Sequence, residues 1–420
     1  MEKRNMLRRD FIKNAGLCSL GTLAANGMLA EPATAAVNTV PEMKIKKIDV
    51  VRDHKFQGRS LQQMWVRLYT DNGIVGVGET YWNTNAQVGV LRDKKNMILG
   101  HDAIEMTTFM DDIRNDSWGG SSGADMKIIS AINMAQWDIL GKAANMPVYK
   151  LLGGKYRPQL RLYNTSNAVA GMTMEKDAEK MTRFFMDKGI KGVKIWPYDP
   201  VAARNKGSYI SPAEREQCLD WIKRIRNTAG KDFEIGLEFH TRWNLPSALK
   251  IAKDLEPYDV MWLEDILGED NMETYSILCR DTSCPVAVSE RLATKFRFRE
   301  VLERKAADII ILDIAWCGGI SEAKKIVDMA DAYYIPFATH NYGGCVLWMS
   351  SIHLGTAAHN CFITESSWEM YTNVFPYFIK NVPVPVNGFV SAPEGPGLGI
   401  EFNDEPIKNG DAIVEIIGEI

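Results

Sequence analysis

Trp262-Leu263-Glu264-Asp265 and, one repeat later, Pro285-Val286-Ala287-Val288-Ser289-Glu290 decide the fold of this chain. Each is a short apolar run ending in a carboxylate. Working outward, similar runs occur at Leu160–Thr165, Gly192–Trp196, Glu234–His240, Val260–Asp265, Ala307–Ala315, Pro336–His340 and Cys361–Glu365, which makes eight with Pro285–Glu290. Amphipathic segments separate them. Apolar strands alternating with helices imply parallel pairing through crossover connections, and eight such units imply a closed α/β barrel over about residues 159–375. An open doubly wound sheet is the competitor, but no GxGxxG turn follows the first strand. Polar residues stand at the strand ends: Lys194, Glu238, Glu264, Glu290, Asp313, His340 and Glu365. From Glu238 onward they are 26, 26, 23, 27 and 25 residues apart, one strand-helix unit each time. The repeat therefore brings ionisable groups to one rim, where barrel enzymes carry their chemistry.

Residues 43–158 have a different texture. Ile45–Val51 and Met64–Thr70 alternate as strands do, Asp71-Asn72-Gly73 marks a hairpin, and Ser130–Ala144 is spaced as a helix, so this is an α+β domain. Residues 1–35 are read as a leader. Leu7-Arg8-Arg9-Asp10-Phe11-Ile12-Lys13, a weakly hydrophobic stretch and Ala33-Thr34-Ala35 resemble a twin-arginine signal peptide, which implies the Tat export machinery as a partner and a periplasmic location. Gly16, Gly21, Asn26 and Gly27 interrupt that stretch, so no stable membrane anchor is expected. The six later cysteines have no zinc spacing and read as small buried hydrophobes.

The chain has 420 residues, 46% hydrophobic and 24% charged, with 49 basic and 53 acidic side chains for a net charge of −4. That composition excludes disorder, and it lacks the basic field a nucleic-acid partner needs. We expect small-molecule chemistry and a homo-oligomer.

Glu238, Glu264 and Glu290 would point into one mouth from three successive strands. Their mutual repulsion is relieved by a hard divalent cation, and an all-oxygen site with room for substrate suits Mg2+. The plainer alternative is that each acid caps a helix or pairs with a surface base. Asp313 and His340 end neighbouring strands, and a carboxylate on one ring nitrogen poises the other as a general base. His240, two residues beyond Glu238, would share its strand face as a second acid/base group, with metal ligation as the other reading. Lys194 would stabilise a bound carboxylate, or act as a base if burial lowered its pKa. Glu365, if protonated, would donate a hydrogen bond to a carboxylate oxygen gaining charge.

These residues resemble the enolase superfamily, within it the group of mandelate racemase, muconate lactonizing enzyme and sugar-acid dehydratases of the galactonate type. The resemblance covers nearly all of the chain after the leader. It rests on Ser130-Ala131-Ile132-Asn133-Met134-Ala135-Gln136-Trp137-Asp138-Ile139-Leu140-Gly141-Lys142, on Pro147-Val148-Tyr149-Lys150-Leu151-Leu152-Gly153-Gly154, on the two stretches quoted first, and on Asp313 followed by Cys317-Gly318-Gly319-Ile320-Ser321. It implies a modified TIM barrel of (β/α)7β type, capped by the N-terminal domain together with the tail from 376 to 420. It also implies one Mg2+ on Glu238, Glu264 and Glu290 that binds the substrate carboxylate and stabilises an enediolate. Arg52–Arg59 and Asn115–Gly123 are the candidate specificity segments.

Three departures bear on the reaction. Glu238 stands where this group usually has aspartate, and Ile266 follows Glu264-Asp265 in place of the usual Glu-Glu-Pro ending. Lys194-Ile195-Trp196 replaces the Lys-x-Lys of members with a base on each face, which disfavours racemization. The resemblance therefore implies dehydration of a sugar acid (aldonate or aldarate): His340 takes the α-proton, His240 protonates the leaving β-hydroxyl, and a 2-keto-3-deoxy acid results. The alternatives are an isomerase of the same superfamily (lactone cycloisomerase, epimerase or racemase) and a non-catalytic sugar-acid binder.

Overall fold

Eight parallel strands close on themselves in the computed structural model, which describes residues 40–58, 60–116 and 121–420. The leader reading over residues 1–35 lies outside the described residues, as do Arg59 and residues 117–120 of the specificity segments.

The N-terminal part supplies β1 (Ile45–Asp53), β2 (Gln63–Thr70) and β3 (Val75–Tyr81), then α1 (Thr84–Ile98), α2 (Met106–Asp116) and α3 (Gly123–Ala143). The barrel strands are β4 (Leu160–Thr165), β5 (Gly192–Ile195), β6 (Glu234–Glu238), β7 (Trp262–Glu264), β8 (Val286–Val288), β9 (Ile309–Leu312), β10 (Phe337–Thr339) and β11 (Cys361–Ser366). Each pairs in parallel with the next, and β11 pairs with β4 to close the ring. Each of the first seven is followed by an α-helix before the next strand, whereas β11 runs into a short π-helical turn at Met370–Val374, as the (β/α)7β expectation requires.

Strand periodicity explains why these runs are apolar throughout. Ile309 and Ile311 belong to a small buried cluster with Tyr163, Trp262, Ala287 and Ile363, while Ile310 and Leu312 join the larger core. Alternate residues thus fill the barrel interior or pack outward on the helices, and only positions near the strand starts, such as Arg161, Glu234 and Phe362, keep some exposure. The polar strand-end residues stand above that filled interior.

The cap is a four-stranded antiparallel sheet in the order β13-β1-β2-β3, where β13 (Ala412–Glu419) is the end of the tail. The tail is shared, since β12 (Phe389–Val390) instead adds antiparallel to β4 of the barrel. Helix α3 lies against β3 at a distance only glycine allows: a Cβ on Gly78 would sit 1.7 Å from the Ala131 carbonyl oxygen.

The stretches that carried the resemblance meet in space. Asn133 Nδ2 donates to Ser321 Oγ at 2.9 Å, Asn133 Oδ1 accepts from Ser321 N at 2.9 Å, and Trp137 Nε1 donates to Ser321 Oγ at 2.8 Å. Ser130 Oγ accepts from Gly318 N, and a Cβ on Gly319 would meet Asn133 at 2.6 Å. Two motifs nearly two hundred residues apart are thus the two halves of one joint between cap and barrel. On the other side of the cap, Glu79 of β3 accepts from the backbone amides of Gly344 and Val346 at the start of the helix Cys345–Ala357, just beyond His340. Five of the six described cysteines are buried and all are free. Among the described residues no helix is long and apolar enough to cross a membrane.

Candidate active site

Glu238, Glu264 and Glu290 close β6, β7 and the turn after β8, and one carboxylate oxygen from each lies within 4.8 Å of the others. All three are buried. Their oxygens are unevenly satisfied. Glu264 accepts from Lys194 Nζ at 2.7 Å and from Trp262 Nε1 at 2.9 Å. Glu238 Oε1 accepts from the amides of Phe239 and His240, but its buried Oε2 has no hydrogen bond, only Lys194 Nζ at 3.5 Å. Burial first, then Glu238 and Glu365 against the relief from Lys194, pushes the Glu264 carboxyl up to about 8. A buried carboxylate oxygen without a donor, inside a three-carboxylate cluster, fits a hard cation. Asp265 stands beside this group with Oδ1 unpaired, and burial followed by Glu238, Glu290 and Glu264 raises its pKa well above the usual carboxylate range.

Lys194 differs from its expectation as a possible base. It is 2% exposed and lies 2.7 Å from Glu264, 3.0 Å from Glu365 and 3.5 Å from Glu238. Burial works against its charge, yet Glu264 and Glu365 outweigh burial and hold its pKa well above the ordinary value. Lys194 is a locked cation. Glu365 also corrects its expectation: it accepts from Asn341 N at 2.6 Å and faces Lys194. Burial favours the neutral acid, but Lys194 and His340 prevail and lower its pKa, so Glu365 is an ionised acceptor rather than a donor.

His340 is 5% exposed and held at both ring nitrogens, with Nδ1 2.8 Å from Asp313 Oδ2 and Nε2 3.0 Å from Glu290 Oε2. Nε2 is therefore the nitrogen that faces the carboxylate cluster. Burial opposes the imidazolium, but Glu290, Glu365 and Asp313 overcome it and push the pKa up to about 10. Asp313 is fixed in turn: Oδ1 accepts from Ala315 N at 2.7 Å, and Oδ2 also accepts from Tyr81 OH at 2.5 Å. Tyr81 ends β3 of the cap, is 1% exposed and stacks on Trp316 at 4.9 Å. Sequence reasoning missed it, because a tyrosine ending a cap strand carries no local mark of what it touches across the joint.

His240 corrects the shared-face expectation. β6 ends at Glu238, and His240 and Thr241 have φ of 50° and 60°, so two-residue strand alternation no longer applies. The ring instead turns to Asp199, with Nδ1 2.7 Å from Oδ2, and Trp196 meets it edge-on at 5.9 Å. Burial resists protonation, but Asp199 and Glu238 raise the His240 pKa above its ordinary value. Asp199 was also missed, although its place five residues beyond Lys194 puts it on the same rim and gave a usable signal.

With the geometry in place, comparison with known proteins is direct. Residues 54–153 match the N-terminal domain of the mandelate racemase/muconate lactonizing enzyme family, and residues 176–406 match the enolase C-terminal domain-like family. The chain belongs to this family of enolase-superfamily enzymes. It is 29% identical over 349 residues to a D-xylonate dehydratase of Haloferax volcanii, covering 82% of this chain and 84% of the relative. It is 28% identical to a D-galactonate dehydratase of Variovorax paradoxus, covering 82% and 90%. Among solved structures, it is similar to a mandelate racemase subgroup enolase from Agrobacterium tumefaciens (33% identity, TM-score 0.81, 89% of this chain and 98% of that one). It is also similar to a putative dehydratase protein from Salmonella enterica (30% identity, TM-score 0.83, 89% and 99%).

Proposed function

We propose that this protein is a Mg2+-dependent hydro-lyase that converts a sugar acid to a 2-keto-3-deoxy acid. The observation that carries the reading is the pair of separate histidine–carboxylate couples, His340–Asp313 and His240–Asp199, beside one three-carboxylate cluster. The dehydratase names of the relatives support it.

Glu238, Glu264 and Glu290 would hold the cation, which supplies positive charge to seat the substrate carboxylate and stabilise charge growing on it. Glu290, once shared with a cation, would press less charge on His340 and bring that imidazole down toward a useful base. His340 Nε2 takes the α-proton, and Asp313 steadies the imidazolium that forms. His240 gives a proton to the β-hydroxyl, which leaves as water. The resulting enol tautomerises to the 2-keto acid, so one water is lost overall. Lys194 neutralises the carboxylates behind the cation and keeps them apart. Lys194 is locked among carboxylates and Trp196 stands two residues beyond it, where a second lysine would offer a base on the other face, which weighs against racemization and epimerization. We place the activity in the periplasm on the Arg8-Arg9 motif alone.

Incubation with aldonic, aldaric and lactone substrates tests the reading. Loss of one water, abolished by chelation and restored by Mg2+, is the expected result. A product of unchanged mass would make the protein an isomerase, and saturable binding without turnover would make it a binder.

A further inference from the structure

Glu79 is a fully buried carboxyl group of the cap that takes no part in the proton transfers. Strand alternation turns Gly76 and Gly78 of β3 toward α3, where a Cβ would collide with the Ala135 and Ala131 carbonyl oxygens, and turns Glu79 and Tyr81 toward the barrel. Register then sets Trp65 of β2 opposite Glu79 and Gln63 opposite Tyr81.

These side chains grip the segment that follows His340. Gln63 Nε2 donates to the Gly343 carbonyl at 3.3 Å. Glu79 accepts from Gly344 N through Oε1, and through Oε2 from Val346 N at 2.9 Å and Trp65 Nε1 at 3.2 Å. The gripped helix, Cys345–Ala357, has no cap of its own: Gly344 stands at its N-cap position without a side-chain hydrogen bond, and no acid lies in its first turn. A carboxylate from another part of the chain supplies both. It also dictates the glycine, since a Cβ on Gly344 would meet Glu79 Oε2 at 2.6 Å. Hydrogen bonds lead from this helix back to the base. Ser351 Oγ donates to Asn341 Oδ1 at 2.6 Å, and Asn341 Nδ2 donates to Thr339 Oγ1 at 2.9 Å. His340 thus sits between two residues whose places depend on where the helix starts.

Docking alone would need no charge. The joint on the other side of the cap, Asn133 and Trp137 with Ser321, is made of neutral groups. Glu79 instead has three neutral N–H donors, and burial outweighs them and pushes its carboxyl up to about 7. Such a group costs stability. What it adds is stiffness at the helix start, because charge-assisted hydrogen bonds are shorter and stronger than neutral ones.

We propose that Glu79 is a positioning residue for the reaction: by capping the helix Cys345–Ala357 from the cap domain, it holds the segment after β10 so that His340 Nε2 faces the glutamate cluster. The inference rests on the reading of His340 as the base.

The test uses Mg2+-loaded full-length protein with 15N-labelled histidine, the His340 ring signals being those lost in His340→Asn. Glu79→Gln sets an amide N–H against a backbone N–H. Its kcat on the aldonic or aldaric acid turned over best should fall by about 10- to 100-fold per folded molecule with KM nearly unchanged, and the His340 signals should move. Glu79→Asp, which keeps both acceptors on a shorter stem, should recover part of the loss. Gly344→Ala displaces the carboxylate but leaves its charge; it should reproduce both changes, and it carries the test if Glu79→Gln does not fold. Ser321→Ala weakens the neutral joint and should lower thermal stability while kcat and the His340 signals stay. The proposal is overturned by His340 signals that are unmoved in Glu79→Gln and Gly344→Ala, that move without loss of kcat, or that move equally in Ser321→Ala. If no acid is turned over, the dehydratase reading fails by itself, and the His340 signals alone then decide for or against Glu79.

Discussion

The two histidine–aspartate couples at the barrel mouth are built differently. His340 stands at the end of β10, almost dry, with both ring nitrogens engaged and Asp313 pinned from the cap by Tyr81. His240 stands in a left-handed turn after β6, its side chain one-third exposed, held at Nδ1 alone, with Arg242 also reaching Asp199 at 3.3 Å. The contrast matches two jobs. Taking a proton from carbon needs a rigid base shielded from water, whereas returning a proton to a hydroxyl suits a group that can re-equilibrate with solvent.

Replacing each histidine separates those jobs. His340→Asn should lower turnover by about 10³–10⁴-fold and also abolish exchange of the substrate α-proton in D2O, followed by NMR. His240→Asn should lower dehydration by about 10²–10³-fold but leave that exchange running. Exchange lost in both variants would erase the distinction.

A third histidine sharpens the comparison by having no part in the site. His353 lies in the helix Cys345–Ala357, accepts from Tyr149 N at Nδ1 and donates from Nε2 to the Leu398 carbonyl, so the fold requires its neutral form. Burial lowers its pKa from 6.5 to about 4. With the folded pKa depressed, the unfolded chain binds the extra proton first, so its contribution is intact above pH 6.5 and lost as pH falls toward 4. Chemical denaturation across that window should show wild type losing roughly 3 kcal/mol relative to His353→Gln. A constant difference would mean that His353 does not titrate in the fold.

The smallest expected effect is at Tyr81. Tyr81→Phe keeps the ring stack on Trp316 and removes one hydrogen bond from Asp313, so kcat should fall by about tenfold with KM nearly unchanged. A KM change at constant kcat would instead make Tyr81 a substrate contact.

How much of this was legible follows from spacing. Each barrel unit is a local segment of chain, so strand-end residues recur at unit length and Glu238, Glu264, Glu290, Asp313, His340 and Glu365 can be read along a line. Asp313 and His340 were paired correctly because neighbouring strands place their ends side by side. His240 was misplaced because alternation was carried two residues past the strand, into a turn whose positive φ redirects the ring. Tyr81 left no trace, since its hydroxyl acts through a contact with Asp313 made only when the cap docks.

By itself, the sequence determined the closed barrel and the ring of ionisable groups, because apolar periodicity and unit length are properties of consecutive residues, while its motifs carried the resemblance to the family. Only the tertiary structure decided which of those groups carry charge and which way they face. Lys194 became a locked cation and Glu365 an acceptor because burial magnifies the fields of neighbours brought together from distant strands.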